Sequence, residues 1–364
     1  MATRRTVLKA AAALALPFTD SPVGRRRLRE YGLRLGLLSP GPLNAITDVA
    51  GLTVGQVTVI DTAKKARTGV TAILPRGTFG SAPCTAGAAV LNGNGEMTGV
   101  MAIRRTGLID VPILLTGTAN IGIAYDAALS AIFTTRGSDI PPNPVVAECW
   151  DALGDIRGRH LTAEHVLQAM KSAASGPVAE GGVGGGAGMT SYGFKGGIGT
   201  SSRVVSKDHG GYTVGVLVNA NHGTREQLTI AGVPVGQELR GYPAERSRSA
   251  SSIVMVAATD APLSARQLER LALRMALGLA RTGATANTSS GDLMLALSTA
   301  KYGTVPLDDD RLTPLYQAVV EATEESVLNA LALGTDVVGA DGTTCPGLPL
   351  DRVVAILKSR GAIQ

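Results

Sequence analysis

Gly241-Tyr-Pro-Ala-Glu-Arg-Ser-Arg-Ser-Ala-Ser-Ser252-Ile-Val-Met-Val-Ala-Ala258 changes character at a single residue. Up to Ser252 the text is polar and rich in serine and arginine. From Ile253 it is apolar and largely β-branched, which predicts a buried strand. Exposed, serine-rich loops are where chains are most readily cut. A break between Ser251 and Ser252 would give Ser252 a free α-amino group. Such an amine titrates near ~8 and lies a few bonds from the residue's own hydroxyl, so it can serve as that hydroxyl's general base. A serine ahead of a strand is in itself commonplace. Whether this one is a nucleophile depends on its surroundings.

Downstream, Ser264 and Gln267 form a capping box for a helix to Thr282, with Leu268, Leu271, Ala272, Met275 and Leu279 as its apolar stripe and Gly283 as its left-handed stop. Ser290-Gly291-Asp292 precedes a strand over Leu293–Leu297. Thr313-Pro314 opens a helix to Leu333, and a last helix spans Asp351–Lys358. Upstream, strands are predicted over Leu52–Ile60, Gly69–Leu74, Val111–Thr116 and Tyr212–Asn219. A helix begins near Asn120 and another, capped by Thr162, runs toward Ala174. Strands and helices come in runs rather than in strict alternation. This points to an α/β chain of layered α+β type, not a doubly wound parallel sheet. Between Glu180 and Ser202 glycine fills 10 of 23 positions. The run lacks the Gly-Lys-Ser/Thr ending of a phosphate loop, so close backbone packing is its expected role. Lys195 within it is open to two uses, a site charge or a solvated one.

Among 364 residues, 45% are hydrophobic, 17% charged and 3% aromatic, which excludes a disordered chain. The formal charge of +5 owes much to Arg4, Arg5, Lys9, Arg25, Arg26, Arg27 and Arg29, and no basic stripe interleaved with aromatics marks a nucleic-acid surface. Residues 1–30 are expected to be a tail. Arg4-Arg5 ahead of the apolar run Ala10–Phe18 has the pattern of a twin-arginine export signal, which implies a periplasmic or secreted protein; a basic tail on a cytoplasmic protein is the alternative. That run is too short to span a bilayer, and no membrane partner is expected. Cys84, Cys149 and Cys345 are far apart and odd in number, and His160, His165, His209 and His222 lack ligand spacing, so neither a disulfide framework nor a metal site is expected. No Gly-x-Ser-x-Gly elbow supports a Ser-His-Asp hydrolase.

Several long blocks change the weight of Ser252: Asn44-Ala-Ile-Thr-Asp-Val49 with Val54-Gly55, Asn92–Gly99, Pro144–Glu148, Val183–Met189, Phe194–Arg203, Val214–Gly223, Ser252–Leu263 and Ser290-Gly291-Asp292. In content and order they resemble the DmpA/BapA family of self-processing serine aminopeptidases (peptidase family S58), which includes L-aminopeptidase/D-esterases and β-peptidyl aminopeptidases. The likeness covers roughly residues 30 to 360. It implies a four-layer αββα sandwich resembling N-terminal-nucleophile hydrolases with different connectivity, here a single domain over residues 31–364. It implies scission between Ser251 and Ser252 into an α chain ending at 251 and a β chain of 252–364, assembly of four such αβ units, and hydrolysis of short peptides, amides or esters with a free amino terminus, without a cofactor. By position, Ser252 is the nucleophile and Asn221 the oxyanion donor. Ser290 is placed to bond the Ser252 hydroxyl or amine, Asp292 to hold an ammonium group, and Glu148 to meet the substrate's amine. Two residues beyond that glutamate the family carries tyrosine. Here it is Trp150, whose indole donates a hydrogen bond but cannot accept one. Two alternatives stand: an acyltransferase of the ornithine-acetyltransferase kind, which normally uses threonine, and an uncleaved, non-catalytic scaffold.

Overall fold

The structure, a computed structural model, describes residues 24–76, 82–137, 141–242 and 251–364. Two sheets carry the architecture. Strands β1 (Leu52–Asp61), β2 (Ala66–Pro75), β5 (Ile113–Gly117) and β6 (Val145–Cys149) lie side by side in that order. The larger sheet runs β4 (Leu108–Ile109), β3 (Cys84–Gly93), β12 (Ser290–Ser298), β11 (Ser251–Thr259), β10 (Thr213–Asn221) and β9 (Gly197–Val204). Neighbours are antiparallel except β5 with β6 and β11 with β12. Helices α2 (Ile121–Arg136) and α3 (Ala163–Lys171) cover the smaller sheet, and α5 (Ala265–Arg281) and α6 (Thr313–Ala332) cover the larger. Helices α1 (Val100–Thr106), α4 (Val235–Glu238) and α7 (Leu350–Ser359) are additions, as are the ribbons β7 (Thr190–Ser191) with β8 (Phe194–Lys195) and β13 (Val337–Val338) with β14 (Thr344–Cys345).

Three apolar cores glue the four layers together. Val70, Ala72 and Leu114 meet Ala124, Ala128 and Val166 between the smaller sheet and its helices. Ile113, Ala147 and Cys149 meet Leu217, Val254 and Leu295 between the sheets. Met255 and Met294 meet Leu268, Leu271, Val319 and Leu331 under α5 and α6. The αββα sandwich expected from the sequence is therefore the fold. Among the described residues, no helix is long and apolar enough to cross a membrane.

Helix α6 is buried nearly all round, so it must sit very close to its neighbours. Two glycines allow this. A Cβ at Gly199 would stand 1.9 Å from the Ser326 carbonyl oxygen, and one at Gly278 would stand 2.4 Å from that of Val320. The buried acids of α6 draw in cations from a distance. Arg203, fully buried, bonds Glu321 Oε2 at 3.2 Å and Glu325 Oε2 at 2.7 Å, and Arg29 grips Glu325 through two nitrogens at 2.6 and 2.7 Å. Burial opposes ionisation of Glu325, yet Arg29 and Arg203 hold its carboxyl below the usual range.

These contacts correct the expected tail boundary at residue 30. Arg25 donates to the carbonyls of Ala332 and Leu348, Arg27 pairs with Glu180 at 2.6 Å, and Leu28 is in the core. From Gly24 onward the chain belongs to the domain, because its arginines answer carboxylates more than 150 residues away. The expected export signal at Arg4-Arg5 lies outside the described residues.

The glycine-rich segment packs closely, as expected, but it also contributes the β7–β8 ribbon and most of β9. Lys195 is neither a solvated charge nor a site charge. Its ammonium is fully buried and donates to the carbonyls of Gly186, Met189 and Gly196 at 2.7–2.8 Å. Lys195→Met keeps the stem and strands three acceptors, and should cost roughly 3 kcal/mol or more, lowering the melting temperature by several degrees. An unchanged melting temperature would mean those carbonyls are satisfied in another way.

Candidate active site

Three strand ends meet at one level of the larger sheet. Asn221, last residue of β10, lies opposite Ser252 on β11, and Ser251 and Ser252 lie beside Ser290 and Gly291 on β12. Strand alternation then sorts the side chains. Val254, Val256 and Ala258 point between the sheets, and Ser252 follows them. Ile253, Met255 and Ala257 point toward α5 and α6, and Ser251 follows those. On β12, Leu293 and Leu295 face the inter-sheet core, whereas Ser290 and Asp292 share the helix side with Met294 and Ala296.

On the inter-sheet side, Asn221 Nδ2 donates to Ser252 Oγ at 3.2 Å. The orientation of this amide follows from its other end, where Asn221 Oδ1 accepts from the Thr190 backbone N–H at 2.9 Å. With the oxygen committed to a donor, the amino group must face the serine. Cys149, at the end of β6, closes the far side. Its thiol lies beside Ser252 and donates to the Asn219 carbonyl oxygen at 3.4 Å, and burial pushes its pKa far up, so it is a neutral neighbour rather than a thiolate.

Glu148 precedes Cys149. Its carboxylate accepts from Thr118 Oγ1 and from the Glu96 backbone N–H at 3.2 Å, and burial pushes its pKa up. A Cβ built on Gly95 would stand 3.1 Å from Glu148 Oε1 and 3.5 Å from the Cα of Gly291, the residue paired with Ser252. One glycine thus separates the carboxylate from the backbone beside the serine. Trp150 is half-buried on the loop that leaves β6. The next residue, Asp151, is buried and accepts from Thr68 Oγ1 at 2.6 Å, and burial raises its pKa to about 6.

On the helix side, Ser290 Oγ lies 2.7 Å from Asp292 Oδ1 and 3.3 Å from Ser251 Oγ. In the continuous chain the Ser290 hydroxyl therefore meets Ser251, not Ser252 as expected from sequence, because the parallel register aligns 251 with 290 and a one-residue step crosses the sheet. Burial raises the pKa of Asp292 against the hydrogen bond from Ser290, and its Oδ2 has no partner among the described residues.

The structure thus gathers Ser252, Asn221, Ser251, Ser290 and Asp292 at one set of strand ends, with Glu148 one glycine away. Sequence reasoning missed Cys149 and His222. Cys149 carries no motif of its own, and its only signal was its place next to Glu148. His222 was dismissed for lack of metal spacing, although it follows Asn221 directly. Among the described residues, no group of three or more His, Cys, Asp or Glu side chains is placed to hold a metal ion.

The sequence pattern of peptidase family S58 matches residues 44–345. The chain is 43% identical to the β-peptidyl aminopeptidase BapA of Sphingosinicella microcystinivorans over 351 residues, covering 88% of this chain and 89% of that one. Its structure superposes on a β-aminopeptidase of Burkholderia sp. with a TM-score of 0.87 at 45% identity, covering 92% of this chain and 99% of the other. The L-aminopeptidase D-Ala-esterase/amidase of Ochrobactrum anthropi, described as a variant of the Ntn-hydrolase fold, gives the same TM-score at 41% identity over 93% and 99%.

The burial of Cys84, Cys149 and Cys345 yields a direct check. A thiol reagent should find none of the three in the native protein and all three after unfolding. Rapid native labelling of Cys149 would overturn its assignment as an inert neighbour of Ser252.

Proposed function

The chain belongs to peptidase family S58, and on that premise we propose that it cuts its own Ser251–Ser252 bond and then works as an aminopeptidase with Ser252 as both nucleophile and base. That it is a serine aminopeptidase follows from the family and its relatives, which sets aside the acyltransferase and scaffold alternatives. The observation that carries the mechanism is the oriented Asn221 amide 3.2 Å from Ser252 Oγ, at the buried end of a strand.

Scission balances without a cofactor. Ser252 Oγ adds to the Ser251 carbonyl carbon, the C–N bond breaks as nitrogen takes the hydroxyl proton, and an ester joins the two residues. Water then splits that ester and leaves a Ser251 carboxylate and a Ser252 α-amine. In turnover the same hydroxyl attacks the substrate carbonyl while the amine takes its proton and passes it to the leaving group, and water then splits the acyl ester to release the acid and restore the hydroxyl. Asn221 Nδ2 supplies the hydrogen bond to the developing oxyanion. Ser290 and Asp292 lie one residue from the new amine and supply a negative neighbour for its protonated form. Glu148, poorly solvated, receives the substrate's ammonium group.

Relatives named β-peptidyl aminopeptidase and β-aminopeptidase, at 43% and 45% identity, support β-amino-acid amides and short peptides as substrates. The family likeness further supports a tetramer of αβ units, and Arg4-Arg5 supports export by the twin-arginine route.

A denaturing gel of the purified protein should show two chains, the smaller beginning at Ser252, and Ser252→Ala should remain one inactive chain. Continued cutting of that variant would move the site elsewhere. Asn221→Ala should lower turnover by about 10²- to 10³-fold, and an unchanged rate would remove its role as oxyanion donor. Glu148→Gln should raise KM for a β-alanyl anilide with little change in kcat. Equal kinetics would return Glu148 to a structural role.

A further inference from the structure

Behind the nucleophile strand, on the face away from Ser252 Oγ, lies a narrow recess walled by His222, Ser251, Ser290, Asp292, Thr285 and Asn287. Among the described residues, three buried polar atoms around it have no partner. They are both ring nitrogens of His222 and Oδ2 of Asp292. His222 is only 4% exposed, and its ring is pinned edge-on against Tyr192, with centroids 5.0 Å apart at 75°. Its backbone carbonyl accepts from the Tyr192 N–H at 2.8 Å and from Ser191 Oγ at 3.0 Å, which fixes the main chain that carries the ring. Burial lowers the imidazole pKa to about 3, so the ring is neutral, with one donor and one acceptor. Leaving such atoms unsatisfied is destabilising, because each loses its hydrogen bonds to water without replacement. A water in a polar recess with two to four partners removes that cost.

We propose that this recess is a bound-water site that links His222 to Asp292, and that His222 is a positioning residue for scission of the Ser251–Ser252 bond. The link runs in one line. Ser290 Oγ donates to Asp292 Oδ1 at 2.7 Å and has Ser251 Oγ as a second, longer acceptor at 3.3 Å. Asp292 Oδ2 faces the water, and the water meets the imidazole. The chain of bonds thereby holds Ser251, the residue on the acyl side of the bond to be cut, while Asn221 holds Ser252 from the opposite face of the sheet. His222 and Asn221 are consecutive, so one strand end grips both residues of that bond from its two sides. A carbonyl displaced by about 1 Å from its attacker can lose about 10²-fold in rate, which gives the water link kinetic weight.

The role of His222 rests on the scission proposed above, so the tests are separable. Processing of the full chain should be followed by denaturing gel for parent, His222→Leu and His222→Gln, with melting temperatures measured alongside. His222→Leu should process at least about tenfold more slowly, and His222→Gln, which keeps a neutral donor and acceptor, should recover most of the rate at a similar melting temperature. Leucine matching the parent, or glutamine no better than leucine, would overturn the positioning role while leaving scission intact. A parent that never splits would sink the scission itself. The water site is then read independently, from a high-resolution crystal structure of the chain as isolated. An ordered water within hydrogen-bonding distance of a His222 ring nitrogen and Asp292 Oδ2 is expected, and a dry recess would overturn it.

Discussion

The register of three strand ends is the constraint on which the site depends. Asn221, Ser252 and Gly291 share a level because β10, β11 and β12 are locked along their whole length by buried side chains. Ile253, Val254, Met255 and Val256 have no exposed surface, and each contributes about 1.5–3 kcal/mol by burial. Burying a serine hydroxyl costs less than the four contribute together, even when it is poorly bonded. The apolar strand therefore carries the serine into the protein and fixes its backbone. A slip of one residue would send Ser252 to the helix side and Ser251 to Asn221, so the apolar pattern that specifies the core also specifies which serine meets the amide.

A pleated strand presents consecutive residues to opposite faces, and the site uses both. Ser252 meets Asn221 and Cys149 between the sheets, and Ser251 meets Ser290 and Asp292 under the helices. Water is largely excluded from either face, and desolvation dominates the electrostatics of both. It raises the pKa values of Glu148, Asp292 and Cys149 and lowers that of His222. The groups that remain near neutrality are the hydroxyls, one amide and one imidazole, which can hold a geometry without fixing a charge.

The sequence made much of this legible where apolar patterning and helix caps were strong. The Ser264–Gln267 cap, the stripe to Leu279 and the left-handed Gly283 all stand as expected. The strand expected from Leu293 begins three residues earlier, so Ser290-Gly-Asp292 is part of it. Among the strands that escaped notice, β3 and β9 did so for a physical reason. Cys84–Gly93 is built mostly from small residues, and Gly197–Val204 is glycine and hydroxyl residues, so neither has high strand propensity. The first half of Cys84–Gly93 and nearly all of Gly197–Val204 are buried, through contacts with α5 and α6 respectively. Long-range partners were beyond reach for the same reason. Arg29 resembles any tail arginine until Glu325 is folded beside it, and His222 has no local signal because its significance is the absence of a partner.

Gly291 shows why the short motif on β12 has the form it does. Its flanking residues face the helices, so the glycine alone faces the inter-sheet side next to Ser252. A Cβ there would meet the Asn94 carbonyl oxygen at 2.7 Å and the Cα of Gly95 at 3.2 Å. The Asn94–Glu96 backbone could then no longer lie against β12, and with it would move the Glu96 N–H that donates to Glu148. The absence of a side chain at one position thus couples the carboxylate of the smaller sheet to the serine of the larger. Hydroxyl and acid occupy the helix face of β12 because the other face has to be bare.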